Sequence, residues 1–198
     1  MRYELHLLQF DMPVPAHTLP QGLLLAVPYA DAPPDLVTYL RSTYPTFRNS
    51  TLRYIADTLY PAIYDGSQPY TNPFGRLSLT LGDTLLTCNM ASVNRAYGSK
   101  VYDYIFSVPP GIHVQDLKYT FFNGETTAVN TAIAHDLQGW ITRFVETGDP
   151  NAFWLPKFPK YGPRGLSMNL TEAGAFATED RATRKRCSFW RQALTETL

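Results

Sequence analysis

The stretch that decides the reading is Tyr104-Ile105-Phe106-Ser107-Val108-Pro109-Pro110-Gly111-Ile112-His113-Val114-Gln115-Asp116-Leu117-Lys118-Tyr119-Thr120-Phe121-Phe122. It opens as an apolar run with bulky aromatics, the composition of a buried strand. Two prolines and a glycine then remove ladder donors and force a loop. A lone histidine, His113, sits on that loop, with Asp116 and further aromatics behind it. A histidine at the end of a buried strand is held by rigid scaffold yet still reaches a cleft, which is where a hydrolytic enzyme places a general base.

Outward from this stretch the chain reads as helices. Before it, an apolar strand is expected over 101–108. A long helix is expected from Asn72 or Gly75 to Tyr97, with Leu77, Leu81, Leu85, Cys88 and Ser92 on one stripe and Gly98 as its stop. Ahead of that, Leu36, Tyr39 and Leu40 have helical spacing up to Tyr44-Pro45. A further helix, capped by Asn49 or Ser50, buries Leu52, Ile55, Ala56 and Leu59 and closes at Tyr60-Pro61. After the histidine loop comes the strongest amphipathic pattern, Val129, Ile133, Leu137, Trp140, Ile141, Phe144 and Val145. Thr126 or Thr127 is its expected cap and Gly148-Asp149-Pro150-Asn151 its end. Leu166, Met168 and Leu170 alternate as in a short strand, and a last helix is expected over 181–194. The cations of that helix, Arg181, Arg184, Lys185, Arg186 and Arg191, read as its wet face.

Composition narrows the function classes. At 198 residues the chain is long enough to bury a core, and 44% hydrophobic against 17% charged residues marks it as folded. Lys and Arg total 17 and so do Asp and Glu, which leaves no net charge to hold nucleic acid, and no basic stripe interleaves with aromatics. No apolar run is long enough for a membrane span. No Cys or His cluster has metal-ligand spacing, so neither metal nor other cofactor is expected. Residues 1–20 have no cationic start, unbroken apolar stretch or small-residue cleavage site, so they do not read as a signal peptide. Pro13, Pro15 and Pro20 make them extended or loop-like.

The histidine stretch resembles the corresponding segment of the type-B carboxylesterase/lipase family, the cholinesterase-like α/β-hydrolases, and is closest to its fungal-type members. Their Ser-Val-Pro-Pro-x-x-His-x-x-Asp-Leu-x-Tyr-x-Phe pattern is matched from Ser107 to Phe121, and Thr147-Gly148-Asp149-Pro150-Asn151 after the amphipathic helix is a second shared trait. A loop histidine is by default a satisfied structural residue; the surrounding pattern is what marks His113 as the catalytic one. Asp116, three residues on, reads as a group that orders the loop, and His135 as a solvated helix residue. Val114 stands where the family has glycine, a residue that lets the backbone turn freely.

The resemblance carries further expectations. It implies an α/β fold, the C-terminal part of an α/β-hydrolase, helix-rich with two or three sheet strands. It divides the chain into a leader, 1–21, and a carboxylesterase-type portion, 22–198. Aligning Gly22 with the family's Asn-x-x-Glu-Gly element puts Gln21 at the triad acid, and an amide cannot stabilise an imidazolium as a carboxylate does. On the residues alone, Cys88 and Cys187 are as compatible with two buried thiols as with a bonded pair. The resemblance, through Cys187-Ser188-Phe189-Trp190, implies the bond, which in the chain-entropy model is worth about 4–5 kcal/mol and needs an oxidising compartment. The sequons Asn49-Ser50-Thr51 and Asn169-Leu170-Thr171 are compatible with secretion, and the family is extracellular.

The 198 residues contain no Gly-x-Ser-x-Gly elbow and no glycine-rich oxyanion loop, both of which ester hydrolysis in this family requires. Three expectations follow. The chain is an ester hydrolase by descent whose His113 works on a small apolar ester once the missing N-terminal part completes it. Alternatively it is a non-catalytic cholinesterase-like interaction module, or a remnant without function of its own. A piece retaining few strands of a large parallel sheet exposes an apolar edge.

Overall fold

The structure, a computed structural model, describes residues 4–5, 35–109, 111, 114–125, 129–180 and 184–195. Its centre is a strand that runs from β2 (Val101–Tyr102) through Asp103 into β3 (Tyr104–Phe106). β2 pairs in parallel with the short β1 (Glu4–Leu5), so the stretch read as a leader contributes a strand. β3 pairs in parallel with β4 (Leu166–Thr171), and β4 pairs antiparallel with β5 (Gly174–Glu179). β5 was not expected. Its side chains are half-buried or exposed, so no apolar alternation marks it in the sequence.

Both faces of β3 are covered, as a parallel strand requires. Tyr104 and Phe106 face a core built with α6 (Thr131–Thr147), where Ile133, Leu137, Trp140 and Phe144 lie at helical spacing. Ile105 faces the other way, onto Met90 and Val93 of α4 (Cys88–Tyr97). Within the first core Phe158 sets its ring edge-to-face against Trp140 and Tyr102, at 5.1 and 5.9 Å between centroids.

A second core joins α1 (Leu36–Thr43), α2 (Asn49–Arg53) and α7 (Arg184–Thr195). Asp35 caps α1, its carboxylate accepting from the Thr38 N–H at 2.8 Å. α2 continues as a π-helix over Tyr54–Leu59, closed by the Tyr60 N–H on the Ile55 carbonyl. Leu52, Ile55, Ala56 and Leu59 are buried as expected. The cap position is Arg48, however, not Asn49 or Ser50, and no side chain caps the helix.

The long helix starts where expected, with the Asn72 side chain accepting from the Gly75 N–H. It divides into α3 (Pro73–Gly82), a π-helix Asp83–Thr87, and α4. The π turn adds residues per turn and rotates everything beyond it. Asp83 and Thr84, at the start of that turn, are buried, and Leu85, expected on the stripe, is 57% exposed. Gly98 ends α4 at φ +57°, a conformation glycine adopts without Cβ strain.

α6 is also entered differently from its expectation. Asn130 is its cap, accepting from the Ile133 N–H at 3.3 Å, so Val129 precedes the helix. Thr126 and Thr127 lie outside the described residues. Val145, one step past Phe144 around the helix, is exposed rather than on the stripe. Gly148 ends α6 in the left-handed conformation, after which Asp149 and Asn151 lock the turn: Asn151 donates its N–H to Asp149 and accepts the N–H of Phe158.

The bonds that fasten α7 include a disulfide, an ion pair and a buried hydrogen bond. Cys187 is disulfide-bonded to Cys88, 99 residues away in sequence. The Arg186 Nε lies 2.6 Å from Asp83 Oδ2, and the Trp190 Nε1–H donates to the Tyr60 hydroxyl at 2.8 Å. Arg186 is therefore not part of the wet face; Lys185 and Arg191 are exposed, and Arg181 lies outside the described residues.

The histidine loop as candidate functional site

β3 delivers the chain to the loop under tight control. The Ser107 N–H donates to the Leu170 carbonyl at 2.7 Å and its hydroxyl to Asn169 Oδ1 at 2.6 Å, which extends the β3–β4 pairing one residue into the loop. A turn follows, with the Gly111 N–H on the Val108 carbonyl and Gly111 at φ +66°. His113, the expected catalytic residue, lies outside the described residues, as do Pro110, Ile112 and Gln21.

The chain beyond is pinned again. The Gln115 side chain donates back to the Pro109 carbonyl at 3.1 Å, bridging the loop. Asp116 is buried, and its Oδ2 accepts from the Tyr104 hydroxyl at 2.6 Å. Burial, with Asp116 beside it, raises the Tyr104 phenol far above its ordinary value, so it remains a donor. The Asp116 carbonyl accepts from Tyr119 and Thr120, starting the short α5 (Leu117–Thr120), and Tyr119 stacks edge-on against Phe106 at 4.8 Å. Asp116 thus ties the loop's exit to the strand that forms its entrance. Val114 has φ +63° and is the one non-glycine residue with positive φ among the described residues. Val114, Leu117 and Phe121 are exposed apolar side chains.

Sequence reasoning passed over a second polar cluster, at the foot of the same strand. Asp103 is 1% exposed. It accepts from the Ser167 hydroxyl and, at 3.0 Å, from the Asn94 side-chain amide, while its own carbonyl accepts from the Met168 N–H. Burial pushes its carboxyl up to about 7, opposed by those side-chain hydrogen bonds. The signal was one acid inside an otherwise apolar run. His135 is exposed, its ring edge-on to Phe122. Among the described residues no His, Cys, Asp and Glu side chains group to hold a metal, and no helix is long and apolar enough to cross a membrane.

A parallel strand with helices on both faces, leading into a pinned loop, is an α/β-hydrolase arrangement, and the comparison with solved structures agrees. The crystal structure of Aspergillus niger EstA superposes with a TM-score of 0.65 over 81% of this chain and 35% of that one, at 21% identity. No family model matches the chain. Curated proteins do: the carboxylesterase patB of Aspergillus clavatus is 37% identical over 145 residues, 72% of this chain. The carboxylesterase patB of Penicillium expansum is 30% identical over 147 residues, 73% of this chain. The chain is homologous to these carboxylesterases over nearly three quarters of its length and shares the type-B carboxylesterase fold of EstA. It spans about a quarter of the length of these curated relatives, 26% in each case.

Proposed function

We propose that this chain is the histidine-bearing part of a serine carboxylesterase, incomplete as a catalyst on its own. The observation that supports this best is the match to two carboxylesterases over most of the chain, with the loop around position 113 tied at both ends. In the complete enzyme His113 accepts the proton of the attacking serine hydroxyl, then gives it to the leaving alcohol. In the second half it activates water against the acyl group. Serine elbow, oxyanion donors and triad acid come from polypeptide outside these 198 residues, and the substrate is a small apolar ester. The disulfide supports an extracellular setting.

Two assays test this. The purified 198-residue chain is expected to show no turnover of short acyl esters; turnover abolished by His113→Ala would overturn the proposal, because another nucleophile would have to be present. A chimera that joins this chain to the remainder of a patB carboxylesterase is expected to hydrolyse such esters and to lose the activity with His113→Ala. A second reading, a non-catalytic interaction module, is favoured by Val114 at a backbone position suited to glycine. An inactive chimera that folds would support it.

A further inference from the structure

The two sequons have different fates in the fold. Asn169 lies in β4, the central strand of β3-β4-β5, between Ile105 and Phe176, and its side-chain oxygen accepts the Ser107 hydroxyl at 2.6 Å. A glycan there would have to leave from a partly buried side chain in the middle of a strand paired on both edges. Asn49 is exposed at the start of α2. Its Oδ1 accepts from Arg41 Nη1 at 2.6 Å, and its Nδ2 makes no hydrogen bond to a described residue. That division suits modification, because a glycosylated asparagine keeps its carbonyl as an acceptor and changes only at nitrogen.

An aromatic residue stands two positions before this asparagine, in Phe47-Arg48-Asn49-Ser50-Thr51. Phe47 closes a turn, its N–H on the Tyr44 carbonyl at 3.1 Å, and lays one ring face on Tyr44 at 5.0 Å. It also lines a surface groove of about 560 Å3 with Thr46, Arg48, Thr51 and Phe189. A sugar ring has an apolar face of C–H groups, and a half-buried aromatic ring beside the linkage gives that face a dry partner.

We propose that Asn49 carries an N-linked glycan whose first sugar packs on Phe47 in this groove. The proposal rests on the extracellular reading above. In the transfer, Asn49 Nδ2 attacks the anomeric carbon of a diphosphate-linked oligosaccharide. The C–N bond forms, the C–O bond breaks, and the diphosphate leaves with the electron pair. The amide nitrogen gives one of its two protons to a base of the transferase, so nothing is oxidised or reduced. The Thr51 hydroxyl is the second recognition element of the sequon.

The test is secretion of the full chain from a fungal host behind a cleavable signal, read by intact mass, endoglycosidase mobility and thiol alkylation. One glycan is expected, lost in Asn49→Gln and retained in Asn169→Gln. The glycosylated chain is expected to melt about 2–4 °C above Asn49→Gln. In a Phe47→Leu background, which keeps apolar bulk without the ring, that increment should vanish. A secreted chain with Cys88 and Cys187 bonded but Asn49 bare, or with the glycan on Asn169, would overturn the site while leaving the extracellular reading intact. Free thiols at both cysteines would overturn the extracellular reading, with Asn49 occupancy still read from the mass. A glycan whose stabilisation survives Phe47→Leu would overturn the packing.

Discussion

Asp103→Asn should remove a pH dependence of stability that the wild-type chain carries. The carboxyl is buried at the junction of β2 and β3, facing Asn94 of α4 and Ser167 of β4, with Tyr104, Tyr161 and Asp180 the nearest other titratable groups and Arg95 on the α4 side. Its affinity for a proton rises from an ordinary value of 3.8 to about 7 on folding. The native state therefore binds more protons than the unfolded chain between those values, and stability falls as pH rises through that window. Below it both states are protonated, and above about 7 both are ionised, so the loss levels off. At about 1.4 kcal/mol per tenfold change in affinity, the full loss is ~4 kcal/mol. Asparagine is the right probe because it keeps the shape: its oxygen accepts from Asn94 and its nitrogen donates to the Ser167 hydroxyl oxygen. Denaturant unfolding of both proteins between about pH 4 and about pH 8 isolates this one group, because every other titration cancels in the difference. The wild type should lose ~4 kcal/mol relative to Asp103→Asn across that range. Parallel curves would show that the carboxyl is solvated or ionised in the fold, and would refute the burial argument.

Other substitutions probe the loop and the helix clamp. A left-handed backbone costs a residue with a Cβ about 1–2 kcal/mol, and glycine returns about 0.4–1 kcal/mol of that through its freer unfolded chain. Val114→Gly should therefore stabilise the chain by roughly 1 kcal/mol, about 2–4 °C in melting temperature; a lower melting temperature would mean that Val114 is not strained. Arg186→Ala strands the buried Asp83, whose carboxyl burial already pushes up against the pull of Arg186, and should cost about 3 kcal/mol in urea unfolding. The pair Asp83→Asn with Arg186→Met should recover most of that cost. A single-mutant cost under about 1 kcal/mol would mark the ion pair as solvent-screened.

What the sequence discloses here divides by the range of the interaction involved. Helix stripes depend on neighbours three and four residues away, so the buried faces of α1, α2 and α6 were legible, as were the glycine stops at Gly98 and Gly148. The π turns were not, because their hydrogen-bond register leaves no residue signature, and within the one at 83–87 Leu85 is exposed and Asp83 buried. Arg186 was misread as solvated because its partner lies 103 residues away in sequence, beyond the reach of any local pattern. The disulfide was legible through family resemblance alone. The role of His113 rests on the same resemblance and is a proposal; the described residues show how the flanks of its loop are held.

Those flanks are held by one strand. Tyr104 fixes the loop's exit through Asp116, and Ser107 fixes its entrance through Asn169, so both anchors hang from β3 and the residue that follows it. One residue before Tyr104 stands Asp103, whose carbonyl is part of the β3–β4 ladder and whose carboxyl ties the strand to α4. A loop that presents a side chain gains from this, because its geometry is set by an element covered on both faces and not by its own residues. The same arrangement makes the loop sensitive to changes that never touch it. Ionising Asp103 buries a charge at the foot of the strand, a desolvation cost that its hydrogen bonds from Asn94 and Ser167 offset only in part, and the loop hangs from that same strand.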